Sequence, residues 1–440
     1  MSKLRNQHMS IKWNDLIDFD SSLPASQAPL CEKSALVGRT GLLFLSVGAP
    51  AFRVRAAMNK LSRALGITCN ADIGLLTIEY TCVAQKESFS NAVSISTTGV
   101  NIEKFVQLRK FTDSFEEAAA SFPMSHFFQK LEEIEKLKGQ YDDLRLSFAA
   151  AMACAAFTFL LDGGIPGIIC AFFGAGFGNF LRRKLLKHHI TLFANVALSV
   201  VTACSIYIVF LRIIEIYFYI AHIHHSGYIC SMLFVIPGFP LITGGLDLAK
   251  LDLRSGFERI LFAILVIFVA TITGWLCAFV YGFQPEIIRA GHWSPAELLI
   301  FRLIASFLGV YGFSLMFNSS VKIALSAGLI GMISNTIRLF LVDFKILPFP
   351  LAAFLCALFA GLSATAVKKI IGYPRITITV PSVVIMVPGL FMYRCVYYFA
   401  QENIVEGSVW LTKAILIVCS LCLGLITARI ITDKNFRTHS

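Results

Sequence analysis

The chain has 440 residues, 56% hydrophobic and only 15% charged, with a formal net charge of +11. Soluble globular domains usually run at about 45–50% apolar and about 25% charged, so a wholly soluble protein is excluded. The charge does not point to nucleic acid either. Residues 1–145 hold 17 Lys/Arg and 16 Asp/Glu, residues 146–440 hold 21 and 11, and the surplus therefore lies between apolar spans, where membrane topology places it.

Residues 1–33 are polar, contain Pro24 and Pro29, and lack an apolar core of signal-peptide length. They read as a disordered cytoplasmic arm. Residues 34–145 read as a small soluble α/β domain. Helical periodicity runs over about 35–47 and 50–65, the second with Val54, Met58, Leu61 and Leu65 on one face and Gly66 closing it. Two β-rich runs follow, near 73–84 and 88–97, with Phe89, Val93 and Ile95 on one side of the latter. Ser114 to Glu117 fits a capping box, and Pro123 opens a helix leading to the membrane. The chain carries no nucleophile elbow, HExxH or kinase set. The lack of a phosphate loop argues against ATP-driven transport.

A spanning helix needs about 20 mostly apolar residues. Ten such stretches follow: 146–161, 164–181, 190–211, 227–247, 260–281, 297–315, 320–341, 348–366, 376–399 and 409–430. With the N-terminal domain cytoplasmic, the inner loops and tail carry fourteen Lys/Arg, among them Arg182, Lys250, Lys322, Lys368 and Arg429, against four outside. This bias predicts a multi-pass plasma-membrane protein with both termini in the cytoplasm.

Val235-Ile236-Pro237-Gly238 lies mid-span in the fourth stretch and Met386-Val387-Pro388-Gly389 mid-span in the ninth, 151 residues later (237 to 388). Asn179-Phe180-Leu181-Arg182 echoes Asn335-Thr336-Ile337-Arg338 at an offset of 156 (179 to 335). These echoes divide the membrane part into two five-helix units, 146–282 and 296–432. Five is odd, so the second unit enters from the opposite side, giving a 5+5 inverted repeat of the kind many secondary transporters use. Proline removes an N–H, glycine loosens the backbone, and the freed groups at bilayer depth need protein, water or ligand as partner. A substrate site is therefore expected near Pro237, Gly238, Pro388 and Gly389, with Thr243 and Arg394 as side-chain candidates. The bland alternative is a pair of packing kinks.

Asp162 and Asp247 are the candidates for proton coupling, against the plainer reading of solvated loop acids. Asn179 and Asn335 read as helix-bridging residues, and Gly174 and Gly178 as a close helix contact. Arg302, Arg338 and Lys413 lie near span ends and read as snorkelling. His222, His224 and His225 cluster in an outer connection without enough convergent ligands for zinc, and no metal or cofactor is expected. Cys419 and Cys422 have CxxC spacing but sit in an apolar helix, as packing residues.

These pieces together resemble the threonine/serine exporter family, which includes fungal pheromone-regulated membrane proteins. The likeness rests on Gly48-Ala49 with Arg53, Gly99 to Lys104, Val235 to Pro240 followed by Asp247 and Ser255-Gly256, Val380-Pro381, and Val387-Pro388-Gly389 with Tyr393-Arg394. It covers most of residues 35–432. One departure is Arg55, where the family usually has an acid. The resemblance implies a non-enzymatic, proton-driven antiporter exporting a small amino acid, with the substrate and the lipid bilayer as partners and homo-oligomerisation left open. Dicarboxylate export, a membrane enzyme with a hydrolytic N-terminal domain, and a non-transporting scaffold stay as alternatives.

Overall fold

The computed structural model describes residues 11–218, 226–283 and 293–437. The chain forms two compact units, one of residues 1–139 with Thr243–Ile260, the other of Gln140–Ile242 with Leu261–Ser440.

The first unit has helices α1 (Leu30–Ser46) and α2 (Ala51–Ala64), strands β1 (Thr68–Ile73), β2 (Thr77–Ala84) and β3 (Glu87–Ser94), then α3 (Ile102–Ala118) and α4 (Met124–Lys136). The strands make one antiparallel meander in the order β1-β2-β3. Its inner face is set by alternation: Ile73, Ile78, Tyr80, Cys82 and Val93 are buried, as are Leu36 of α1 and Met58 and Leu61 of α2, the helices that pack on the sheet. Phe115 and Phe127 meet between α3 and α4, and Phe128 of α4 lies under Arg39 of α1. Three sequence expectations need correction. Helix α1 begins at Leu30, five residues early, with two 3₁₀ turns before it at Trp13–Leu16 and Ala25–Gln27. Strand β1 was not expected, although Cys69, Ala71 and Ile73 alternate with exposed Thr68, Asn70 and Asp72; the alternation is only six residues long and its inward Cys69 and Ala71 are small. Ser114 lies inside α3 and is no cap: the apolar period Ile102, Phe105, Leu108, Phe115 carries the helix through it, and Asn101 caps the start by accepting from Lys104 N at 3.0 Å.

Asp113 on α3 bridges Lys60 of α2 (2.9 Å) and Arg109 (2.8 Å). Burial alone would raise its carboxyl, but the hydrogen bonds from Arg109 and Lys60 outweigh it and hold the group below the usual carboxylate range. A depressed carboxylate stabilises the fold above its unfolded pKa of about 4 and loses that contribution as pH falls through the folded value. Asp113→Asn should therefore cost under about 1 kcal/mol at pH 7. The gap to wild type, read by thermal unfolding, should close as pH falls below the unfolded value and through the lower folded one.

The second unit is helical. Helices α5 (Asp143–Leu160), α6 (Ile165–Lys187), α7 (Leu192–Phe218), α10 (Leu253–Val280), α11 (Pro295–Met316), α12 (Val321–Asp343), α13 (Phe349–Ile371) and α16 (Ile404–Thr432) are each long and apolar enough to cross a membrane; α10 starts in the first unit. Between them lie α8 (Ser226–Cys230), α9 (Gly238–Leu248), α14 (Arg375–Val384) and α15 (Gly389–Ala400); a short α17 (Lys434–Arg437) follows α16. Gly227–Val235 with α9, and α14 with α15, form bent pairs of 61° and 48°. Among the described residues this gives eight candidate spans, or ten with each pair counted as one span, so the protein is a multi-pass membrane protein.

Small residues set the packing. Helix α5 is 67% buried and meets α11 where a Cβ on Gly312 would lie 2.6 Å from Ala149 O. Helix α6 meets α7 through Gly174 and Gly178, whose added Cβ atoms would lie 2.7 Å from Ala203 O and 2.8 Å from Ala203 Cβ. Among the described residues, six non-glycine residues at helix ends adopt positive φ: Asp162, His189, Leu251, Asn318, Lys345 and Glu402. They fall into pairs, two separated by 156 residues (162 to 318, 189 to 345) and one by 151 (251 to 402).

Candidate functional site

In the second unit the two Pro-Gly interruptions seat on each other. Before Pro237 the helix tightens to a 3₁₀ turn at Leu233–Val235, and it restarts at Gly238. At the other break Gly389 N donates to Val387 O (2.9 Å), leaving the Ile385 carbonyl without its helical donor. A Cβ on Gly238 would lie 3.3 Å from Val387 Cγ2, and one on Gly389 would lie 2.7 Å from Leu233 Cδ2. Each glycine thus lets the opposite break approach to contact. Leu241, Ala263, Ile267, Ile236, Val387 and Met392 pack around this crossing.

Beside it is a cavity of about 70 Å³, lined by Leu233 from the first break and by Asn335, Arg338, Ile385, Pro388 and Gly389, among others. That is room for several waters rather than one. Arg338 is 9% exposed. Its Nε and Nη2 donate to Asn335 Oδ1 at 3.1 and 2.9 Å, and Asn335 Nδ2 donates across to Ser306 Oγ on α11 at 2.9 Å. Arg338 therefore does not reach out as the snorkelling expectation had it: the side chain is buried and held by Asn335, five residues before the end of α12 at Asp343. Arg302 pairs with Asp343 at 2.6 Å, and Lys413 lies over Trp410.

Asn179 Nδ2 donates to Leu146 O at 3.1 Å, tying α6 to α5 as Asn335 ties α12 to α11. Arg182 Nη1 donates to Phe234 O at 3.0 Å and so satisfies a carbonyl of the first break. Arg394 stacks over Trp410 at 4.4 Å and is not among the cavity-lining residues. Asp162 is half-buried in the α5–α6 turn. His222, His224 and His225 lie outside the described residues; among those described, no group of three His, Cys, Asp or Glu is arranged for a metal ion. Cys419 is exposed, Cys422 is buried, and neither forms a disulfide.

Thr243 and Asp247 are fully buried and belong to the first unit. There Asp247 Oδ2 meets Arg259 Nε (3.2 Å) and accepts from Ser255 Oγ (3.0 Å), while Arg259 Nη2 donates to Ala49 O at 2.6 Å. Asp247 Oδ1 has no well-formed hydrogen bond. The Gly48-Ala49 turn needs its glycine, with φ +85° and Gly99 O where a Cβ would be, 2.7 Å away. Arg55 pairs with Asp252 at 2.5 Å, and Arg254 reaches Asp72 (2.5 Å) and Glu79 (3.0 Å). The α9–α10 turn is thus held by the sheet and the α1–α2 turn through buried and bridging charges. Arg259 was legible only as an inner basic residue; its spacing of four from Ser255, after Asp247, was the available signal.

Residues 35–281 match the family model described as "Putative threonine/serine exporter", and residues 302–431 match "Threonine/Serine exporter, ThrE". Among curated proteins the chain is 23% identical over 225 residues to the "Probable succinate transporter subunit YjjP" of Escherichia coli, covering 50% of this chain and 83% of that one. The protein of the same description from Klebsiella aerogenes is 24% identical over 224 residues, covering 50% and 82%. No solved structure matches. The chain belongs to the threonine/serine exporter family, and is by that membership a multi-pass membrane exporter.

Proposed function

We propose that the chain exports threonine or serine from the cytoplasm by proton-coupled antiport, along a path between the two broken spans. The reciprocal seating of Gly238 and Gly389 carries this reading, because it brings two interrupted helices and a cavity with a buried guanidinium to one place. Two inverted five-helix units, 146–282 and 296–432, are part of the proposal. Their support is the paired helix-end residues of positive φ, a conformation costing roughly 1–2 kcal/mol for non-glycine residues. The paired roles of Asn179 and Asn335 add to it. Pro237, Gly238, Pro388 and Gly389 form the path, with Thr243 and Arg394 as further candidates along it, and Asp247, then Asp162, as proton carriers. The N-terminal unit and both chain ends lie on the cytoplasmic side of the plasma membrane.

A dicarboxylate substrate is the second reading, favoured by the description of the YjjP relatives. Those relatives are described as subunits and match half of this chain, so we place in one polypeptide what they divide. Counterflow of labelled threonine, serine and succinate in proteoliposomes decides the substrate. Exchange of threonine or serine, faster with an inward proton gradient, is the expected result; succinate alone would select the second reading. Flux of none, with turnover by the solubilised protein, would replace export with an enzyme. Cysteines introduced in 182–189 and 367–375 should label from the same membrane face; opposite faces would end the inverted-repeat reading.

A further inference from the structure

We propose that Arg338 is the seat of the substrate carboxylate, and that it is a single seat, so the cavity takes an amino acid rather than a dicarboxylate. The assignment deepens the export reading and requires that the chain move a carboxylate solute.

A guanidinium inside a membrane span is costly unless a counter-charge or a full set of acceptors surrounds it. Arg338 has neither in full. Asp343, the carboxylate close enough to act on it, is bridged to Arg302 and lies beyond ion-pair distance of Arg338, and the Phe349 ring lies 5.5 Å from the guanidinium. Asn335 Oδ1 takes Nε and Nη2, and Ser306 in turn fixes Asn335. That relay holds the fork still and leaves Nη1 for an incoming oxygen.

The equivalent residue in the first half shows the contrast. Arg182, 156 residues earlier, is engaged with the Phe234 carbonyl. One break is thus closed by its own arginine, while the other faces a cavity. A second group of donors lines that cavity: α15 restarts at Gly389, whose own N–H is taken by Val387 O, and the next first-turn amides, of Leu390 and Phe391, have no carbonyl one turn back within the helix and favour an anion. Arg338 and the α15 N-terminus therefore converge on one carboxylate.

The remaining lining decides the class. Phe157, Leu160, Leu339 and Ile417 are apolar, and Arg338 is the one cation among the lining residues. A second carboxylate would meet no counter-charge, whereas an ammonium could reach the Ile385 carbonyl left open by the break.

The test is threonine counterflow by the full chain in proteoliposomes, with serine, succinate and threoninol as competitors; threoninol keeps the ammonium and lacks the carboxylate. Serine should compete, threoninol should not, and succinate should compete at least about tenfold less well than serine. Arg338→Gln should raise the threonine KM about 10- to 100-fold, and Arg338→Lys should recover part of the loss, keeping charge but not the fork. Competition by threoninol equal to serine overturns the seat using wild-type protein alone, whatever the variants do. So does an unchanged KM in Arg338→Gln, and in both cases export of threonine still stands. Succinate outcompeting serine overturns the single seat. Wild type that exchanges no carboxylate overturns the seat and the export reading together.

Discussion

Replacing Gly389 with valine should remove at least nine-tenths of the exchange activity while the protein still inserts and folds. A single added carbon would already lie 2.7 Å from Leu233 Cδ2, inside any normal contact distance. Leu233 is 5% exposed and cannot swing into solvent. Overpacking of this kind costs about 1–3 kcal/mol, a tolerable loss for a bundle this large but a wedge between two segments that must move past each other. The partner site should be milder, because a Cβ at Gly238 meets Val387 Cγ2 at 3.3 Å, so Gly238→Ala should lose less than Gly389→Ala. Leu233→Ala placed with Gly389→Ala should restore much of the activity by returning the space. Exchange by Gly389→Val at the wild-type rate would show that the contact between the breaks has no role in transport.

Arg259→Met should give the largest loss of stability of any substitution in the first unit. Arg259 is 2% exposed and Asp247 is fully buried, so removing the guanidinium leaves a carboxylate with no counter-ion in a dry site. Breaking a buried pair by one partner costs about 3–5 kcal/mol, whereas replacing both by apolar residues of similar volume is often close to neutral. The double variant Asp247→Leu with Arg259→Met should therefore be more stable than either single one. Its transport should remain poor if Asp247 carries the coupled proton. Thermal unfolding of the solubilised protein reads the first effect, and the response of counterflow to a proton gradient reads the second. Arg259→Met as stable as wild type would mean that Asp247 has another counter-ion.

Both broken spans could be read from composition and from the Pro-Gly pairs, because bilayer thickness fixes helix length and proline fixes where a helix fails. The side chains at the site were less visible. An arginine close to a span end reads as snorkelling unless a partner inside the protein is known, and the Asn335 side chain that holds Arg338 is fixed by Ser306 of another helix. Arg338 was nonetheless within the echo of Asn179 to Arg182, and its matching with Arg182 was a signal that periodicity alone does not weigh. The grouping of 243–260 with residues 1–139 was out of reach, since Arg254 meets Asp72 across 182 residues of chain and no local pattern records that. Strand β1 was missed although its alternation was present: Cys69, Ala71 and Ile73 face inward between Thr68, Asn70 and Asp72, but a six-residue run with small Cys69 and Ala71 inward is a weak signal until it pairs with β2.

The claim that the two breaks meet is most directly tested by joining them. A Cβ built on Gly238 lies 3.8 Å from Val387 Cβ, close to the mean separation in disulfides. In a background with the native cysteines replaced, Gly238→Cys with Val387→Cys should form an intramolecular disulfide on mild oxidation, identified by mass spectrometry. Threonine counterflow should stop when the bridge forms and return on reduction. Failure of the bridge to form in folded protein, or undiminished counterflow with the bridge in place, would contradict the account.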